Sequence, residues 1–154
     1  MNPLVEALKE SVREVIVTYT GAEPVFKKQF LRDNEVSFGE VSAVAGLTGE
    51  KVKGVFIVSF SKEVLFRIVS ALFGSAPQEL NHEVVDAAGE MANMICGAFR
   101  RRFEKQGVSL KASTPSLVTG KDHHIHPLCK SPHLVLLFEL EGHPLVVEFC
   151  LDKI

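Results

Sequence analysis

The chain has 154 residues, 46% hydrophobic and 23% charged, the balance of a folded globular domain rather than a disordered or fibrous one. Its net charge of −2 comes with no long run of either sign, and without a clustered basic face nucleic acid is excluded as the main ligand. No stretch approaches the roughly 18 uninterrupted apolar residues of a membrane span, and a single domain over residues 1–154 is expected at this length.

Asn2-Pro3, with Glu6 soon after, reads as a helix start, and Leu4, Val5, Leu8, Val12, Val15 and Ile16 recur at helical spacing up to Tyr19 or Gly21. The opening MNPLVEALKE interleaves apolar and charged residues, unlike a signal peptide, so a cytoplasmic location is expected. Strands with one wet face are expected over Val25 to Leu31 and Val36 to Ala45, then a turn over GLTGEKVK and a core strand from Val55 to Phe60. Ser61 is placed to cap a helix over 62–73 that Gly74 ends, and Asn81 to cap a long helix from Glu83 to Glu104, closed by Gly107. Beyond it, 108–112, 115–119, 134–140 and 144–151 read as strands, the last two an antiparallel hairpin around Glu141-Gly142-His143. Leu134 to Phe138 is apolar on both faces, which points to helices on one side of the sheet and a subunit contact on the other. The fold class is therefore α+β, three helices packed on a largely antiparallel sheet. Cys96, Cys129 and Cys150 are widely separated and lack Cys-x-x-Cys spacing, so they read as reduced thiols.

The long helix carries the functional signal. Val84, Val85, Ala88, Met91, Ala92, Ile95, Cys96, Phe99 and Phe103 form a wide apolar stripe, while Asp86, Glu90, Asn93 and Gly97 follow one another in steps of four, three and four. At about 100° per residue those steps keep the four within one narrow arc, facing solvent or a partner. Gly97 costs about 1 kcal/mol relative to alanine inside a helix, and nothing local needs a break there, so a close approach is expected at that point. A carboxylate can pair with a cation, and a carboxamide both donates and accepts hydrogen bonds, enough to hold a water. The pair Glu90 and Asn93 is also the ordinary dress of a solvated helix. Arg100 to Arg102 sit near the helix end, where they complement its dipole, or form a rim that meets an acidic partner.

The sequence DAAGEMANMICGAF, followed after a loop by the proline of STPSLVTGKDH, resembles the CheC/CheX/FliY chemotaxis phosphatases, and most of all their CheX branch. The preceding SAVAGLTGEKVKGVFIVSFSKEVLFRIVSALFG is similar to the strands and helix of CheX-like domains. The family pattern falls on Asp86, Glu90, Asn93 and Pro115. CheC-like members carry a second Glu-x-x-Asn pair, but the first helix here offers only Glu6-Ala7-Leu8-Lys9 and Glu10-Ser11-Val12-Arg13, so one site per chain is expected. The resemblance implies hydrolysis of the phospho-aspartate of a CheY-like receiver domain, with Asn93 fixing the attacking water and Glu90 pairing with the receiver's lysine. Asp86, Gly97 and Arg100 would line the contact. It implies no cofactor for this chain, Mg²⁺ in the partner receiver, and a homodimer. Two other readings compete: a receiver- or switch-binding domain of the same fold that accelerates nothing, and a metal site on Asp122-His123-His124-Ile125-His126 with His133 and His143. Cys96 lies in the apolar stripe and reads as inert packing.

Overall fold

The computed structural model describes residues 2–32, 38–121, 123, 125 and 129–154. Val36, Asp122, His124 and His126, on which the second strand's start and much of the histidine segment were read, lie outside them.

Capping residues set the three helices. Asn2 Oδ1 accepts the Leu4 N–H at 2.9 Å and opens α1 (Pro3–Thr20). Ser61 Oγ accepts the Val64 N–H at 3.3 Å and opens α2 (Lys62–Phe73), and Asn81 Oδ1 accepts the Val84 N–H at 3.1 Å and opens α3 (His82–Lys105). Gly21 and Gly74 end the first two in the left-handed region, at φ 73° and 80°, where a side chain would be strained.

The strands are β1 (Val25–Leu31), β2 (Val41–Thr48), β3 (Val52–Phe60), β4 (Lys111–Ala112), β5 (Ser116–Thr119), β6 (Leu134–Leu140) and β7 (His143–Lys153). They form one antiparallel sheet in the order β1-β6-β7-β3-β2-β4, with β5 also paired to β2. Leu140 pairs with His143 across Glu141 and Gly142, both at positive φ, the two-residue turn that suits the twist of a hairpin. The three helices and the antiparallel sheet are the architecture the sequence indicates.

The turn after β2 is shorter than its glycines suggest. Of the residues 46–53, Gly46 to Thr48 belong to β2 and Val52-Lys53 to β3, and Gly49 N–H closes the bend onto the Val52 carbonyl at 2.8 Å. Gly54 is glycine because a Cβ there would run into the Cys150 carbonyl on β7. It marks close strand packing. The strand expected over 108–112 shrinks to Lys111-Ala112.

One face of the sheet carries the helices. Phe99 of α3 is fully buried, its ring 5.5 Å from that of Phe56 on β3 and 5.0 Å from that of Phe149 on β7. Burying such a ring contributes roughly 1.5–3 kcal/mol, and it seats α3 rigidly on the sheet. Arg101 and Arg102 hold α1 alongside: Arg102 Nη2 lies 2.8 Å and Arg101 Nη2 3.3 Å from the Glu14 carboxylate. The Arg102 hydrogen bond, aided by both charges, keeps the Glu14 carboxyl below its usual range. Two of the three arginines thus tie helix to helix rather than serving the dipole alone.

The other face is covered by the chain itself. Val55, Ile57 and Cys150 are buried there, with Ile125 and Cys129 packed against them. The subunit contact expected on this face is therefore not needed to bury those side chains. The reading of three free thiols is also corrected, because Cys129 and Cys150 form a disulfide and only Cys96 is free. Their 21-residue separation carries no sequence signal; the strand path brings them together.

Candidate functional site

The buried side of α3 comprises Val84, Ala87, Ala88, Met91, Ala92, Ile95, Cys96, Ala98 and Phe99, close to the stripe read from the sequence, with Val85 and Phe103 partly buried at its margins. The opposite side is left to solvent. Asp86, Glu90 and Asn93 are all exposed, and Gly97 follows one turn later, partly buried. No hydrogen bond or ion pair among the described residues engages the side chains of Asp86, Glu90 or Asn93. Three polar groups on a fixed rod are thus free for an external ligand.

Asn93 stands on a ridge between two hollows. On one side a groove of about 340 Å³ runs between α3 and the loop before β5, lined by Asp86, Gly89, Glu90, Asn93, Thr114, Pro115 and Leu117. On the other, a hollow of about 440 Å³ opens between α3 and α1, where Gly97, Arg100, Tyr19 and Thr18 join Asn93. All five of Asp86, Glu90, Asn93, Gly97 and Arg100 therefore border one continuous surface, and Pro115 joins them across the groove. Sequence reading missed Gly89, Thr114 and Leu117. The signal for the first was available, since Gly89 is a second glycine inside the helix. A Cβ there would sit 3.5 Å from the Leu117 side chain, an ordinary contact, so Gly89 lies where α3 meets the groove wall without the packing itself demanding glycine.

Gly97 has no internal packing reason either. A Cβ on it would meet only the ends of the Arg101 and Arg100 side chains, at 3.7 and 4.0 Å. Room exists for a side chain, yet none is there. Arg100 leans away toward the sheet, its Nη1 donating to the Leu110 carbonyl at 3.4 Å, so it borders the α1 hollow with its guanidinium partly committed.

The chain matches the family model for the chemotaxis phosphatase CheX over residues 41–139, a span that contains α3 and Pro115. It belongs to the CheX family. The CheY-P phosphatase CheX of Thermotoga maritima is 30% identical over 124 residues, covering 79% of this chain and 76% of that protein. Among solved structures, CheX from Desulfovibrio desulfuricans superposes with a TM-score of 0.87 at 32% identity, covering 97% of this chain and 99% of that one. CheX from Vibrio vulnificus gives 0.90 at 26% identity, covering 98% and 100%. These CheX structures share the arrangement of helices and sheet that presents the α3 ridge.

Of the histidines named as an alternative metal site, those described by the structure do not gather. His133 precedes β6 and His143 pairs with Leu140 at its far end, so the two stand roughly 23 Å apart, the length of the strand. His123 lies against Ser42 Oγ and the Gly120 carbonyl, each at 2.7 Å. Cys96 is buried, and burial pushes its thiol up despite the nearby Arg100, which leaves it a poor nucleophile. No described helix is long and apolar enough to cross a membrane.

Proposed function

We propose that this CheX-family chain hydrolyses the phospho-aspartate of a CheY-like receiver domain, with Asn93 orienting the water and Glu90 anchoring the complex. The observation that carries the reading is the exposed, unpartnered Glu90 and Asn93, one turn apart on a helix held by a buried phenylalanine cluster. The activity named for the Thermotoga maritima relative supports it.

An aspartyl phosphate is already activated, and its receiver supplies Mg²⁺ to neutralise the phosphoryl oxygens. What a partner can add is a water held in line with the scissile P–O bond. The water oxygen bonds to phosphorus, the bond to the aspartyl oxygen breaks, and aspartate leaves as a carboxylate together with inorganic phosphate. The Asn93 carboxamide accepts a hydrogen bond from that water through Oδ1 and donates through Nδ2. Glu90, one turn earlier, meets a lysine ammonium beside the phosphoryl group in a charge-assisted hydrogen bond. The chain needs no cofactor of its own for these roles, and the cytoplasm is the compartment they require.

The test is decay of a labelled phospho-receiver with the chain present well below stoichiometry. Clearance of many receiver molecules per chain is the expected result; decay at the receiver's own rate would make the chain a binding domain and overturn the enzymatic reading.

Gly97 gives a prediction in which stability and docking move in opposite directions. Gly97→Ala should raise helix stability by up to about 1 kcal/mol, because the added methyl meets no backbone. It should also weaken receiver binding, because that methyl stands where the partner's backbone lies. Thermal unfolding and a titration with phosphorylated receiver check the two halves, and unchanged affinity would remove Gly97 from the contact.

The homodimer belongs with this proposal. β1 is an edge strand with Val25 and Leu31 exposed, and an open strand edge is a ready surface for a second copy. Light scattering across a concentration series reads it directly.

A further inference from the structure

On the face of the sheet away from α3, three residues converge that the proposed phosphatase chemistry does not use. His133 and Cys150 are buried and Cys129 is partly buried, and one ligating atom from each lies within 4.8 Å of the others. His133 just precedes β6, and the Leu134–Phe149 register places it beside Cys150 on β7. Its Nδ1 is 3.2 Å from Glu148 Oε2, and Glu148 is held from the other side by Arg32 Nη1 at 3.0 Å. Its other nitrogen, Nε2, is buried with no hydrogen-bond partner among the described residues. His133 is only 4% exposed, and a buried polar atom without a partner is costly enough to call for an explanation.

We propose that Cys129, His133 and Cys150 form a zinc-type metal site when the disulfide is reduced. The donor set is chemically apt, since two thiolates and an imidazole suit Zn²⁺ and leave one tetrahedral position for solvent. The surroundings fit as well. A ligating histidine commonly gives its second ring N–H to a carboxylate, which fixes the tautomer and makes the ligating nitrogen more basic. Glu148 holds Nδ1 in that manner, and the nitrogen left over is the one that lacks a partner. In a reducing compartment Cys129 and Cys150 are thiols, and a metal then occupies the convergence that the disulfide otherwise spans. Either link fastens the segment before β6 to the sheet, where Asp152 also accepts the Lys130 and Ser131 N–H groups at 2.7 and 2.8 Å.

The experiment uses the full chain without an affinity tag, reduced by a phosphine and titrated with Co²⁺ as a spectroscopic stand-in for Zn²⁺. The phosphine gives up two electrons to cleave the S–S bond, takes oxygen from water as phosphine oxide, and leaves a proton on each sulfur; the metal then displaces both protons. The expected result is one Co²⁺ per chain with a thiolate-to-cobalt charge-transfer band that the oxidised chain lacks. The band should survive Cys96→Ala. His133→Ala should weaken binding at least 10-fold, and Glu148→Gln should weaken it by roughly 10–100-fold. The oxidised wild-type chain is the folded control, so the outcome does not depend on a cysteine variant that fails to fold. A reduced chain with three free thiols and no band overturns the site, as does a band equally strong in the oxidised chain. A band indifferent to His133→Ala overturns the assigned donors.

Discussion

Replacing Asn93 by alanine is expected to lower kcat for phospho-receiver hydrolysis by about 100-fold or more while leaving receiver affinity close to wild type. The magnitude follows from what the residue is asked to do. Fixing a reactant in line is worth several powers of ten, and a displacement of about 1 Å can forfeit 100-fold; deleting the group that does the fixing forfeits at least as much. The structure makes the experiment clean, because Asn93 is exposed and its side chain makes no hydrogen bond within the described residues. Its truncation leaves no buried group unpaired, and alanine is the better helix former. Thermal stability should therefore hold or rise slightly. Glu90→Ala offers the contrast: removing an anchor used in the ground state and transition state alike raises KM more than it lowers kcat. Steady-state kinetics on the two variants separate the roles, and a fall in binding for Asn93→Ala as large as for Glu90→Ala would mean that both residues only dock.

The second large effect lies on the hidden side of the same helix. Phe99→Ala is expected to destabilise the fold by about 3–5 kcal/mol, the usual cost of emptying a buried aromatic site. The ring touches those of Phe56, Phe103 and Phe149, so its loss opens a cavity at the point where α3 meets β3 and β7. At the roughly 2–4 °C per kcal/mol that applies to a domain of this size, the midpoint should drop by about 10 °C. Below that lowered midpoint kcat should stay near wild type, since the exposed arc is built from different residues. Urea titration and kinetics at low temperature check the pair of statements. Full stability retained, or activity lost from a folded variant, would show that α3 is not held in the way described.

Much of this was written locally in the chain. Asn2, Ser61 and Asn81 mark their helix starts, and Gly21 and Gly74 mark two of the ends, because capping is a short-range matter of one side chain and the next few N–H groups. The arc of Asp86, Glu90, Asn93 and Gly97 was legible for a similar reason: helical periodicity alone sorts it from the buried stripe. What escaped depends on contacts across the sheet. Gly46 looked like a turn residue, yet it lies within β2, and Gly54, which no local pattern assigned, answers to the Cys150 carbonyl on a neighbouring strand. Arg101 and Arg102 looked like dipole partners until α1 placed Glu14 beside them. The Cys129–Cys150 bond and the Arg32, Glu148 and His133 cluster join positions up to 116 residues apart. No local pattern encodes such meetings; the strand register creates them.

The idea that a carboxamide at a fixed place holds the attacking water is tested most directly by moving that carboxamide without removing it. Asn93→Gln keeps the chemistry and extends it by one methylene on an unchanged helix. With the chain saturating, the rate of phosphate loss from the bound phospho-receiver should fall most of the way to that of the receiver alone, while the complex still forms. Phosphate loss at the wild-type rate in that saturated complex would contradict positioning as the source of the acceleration.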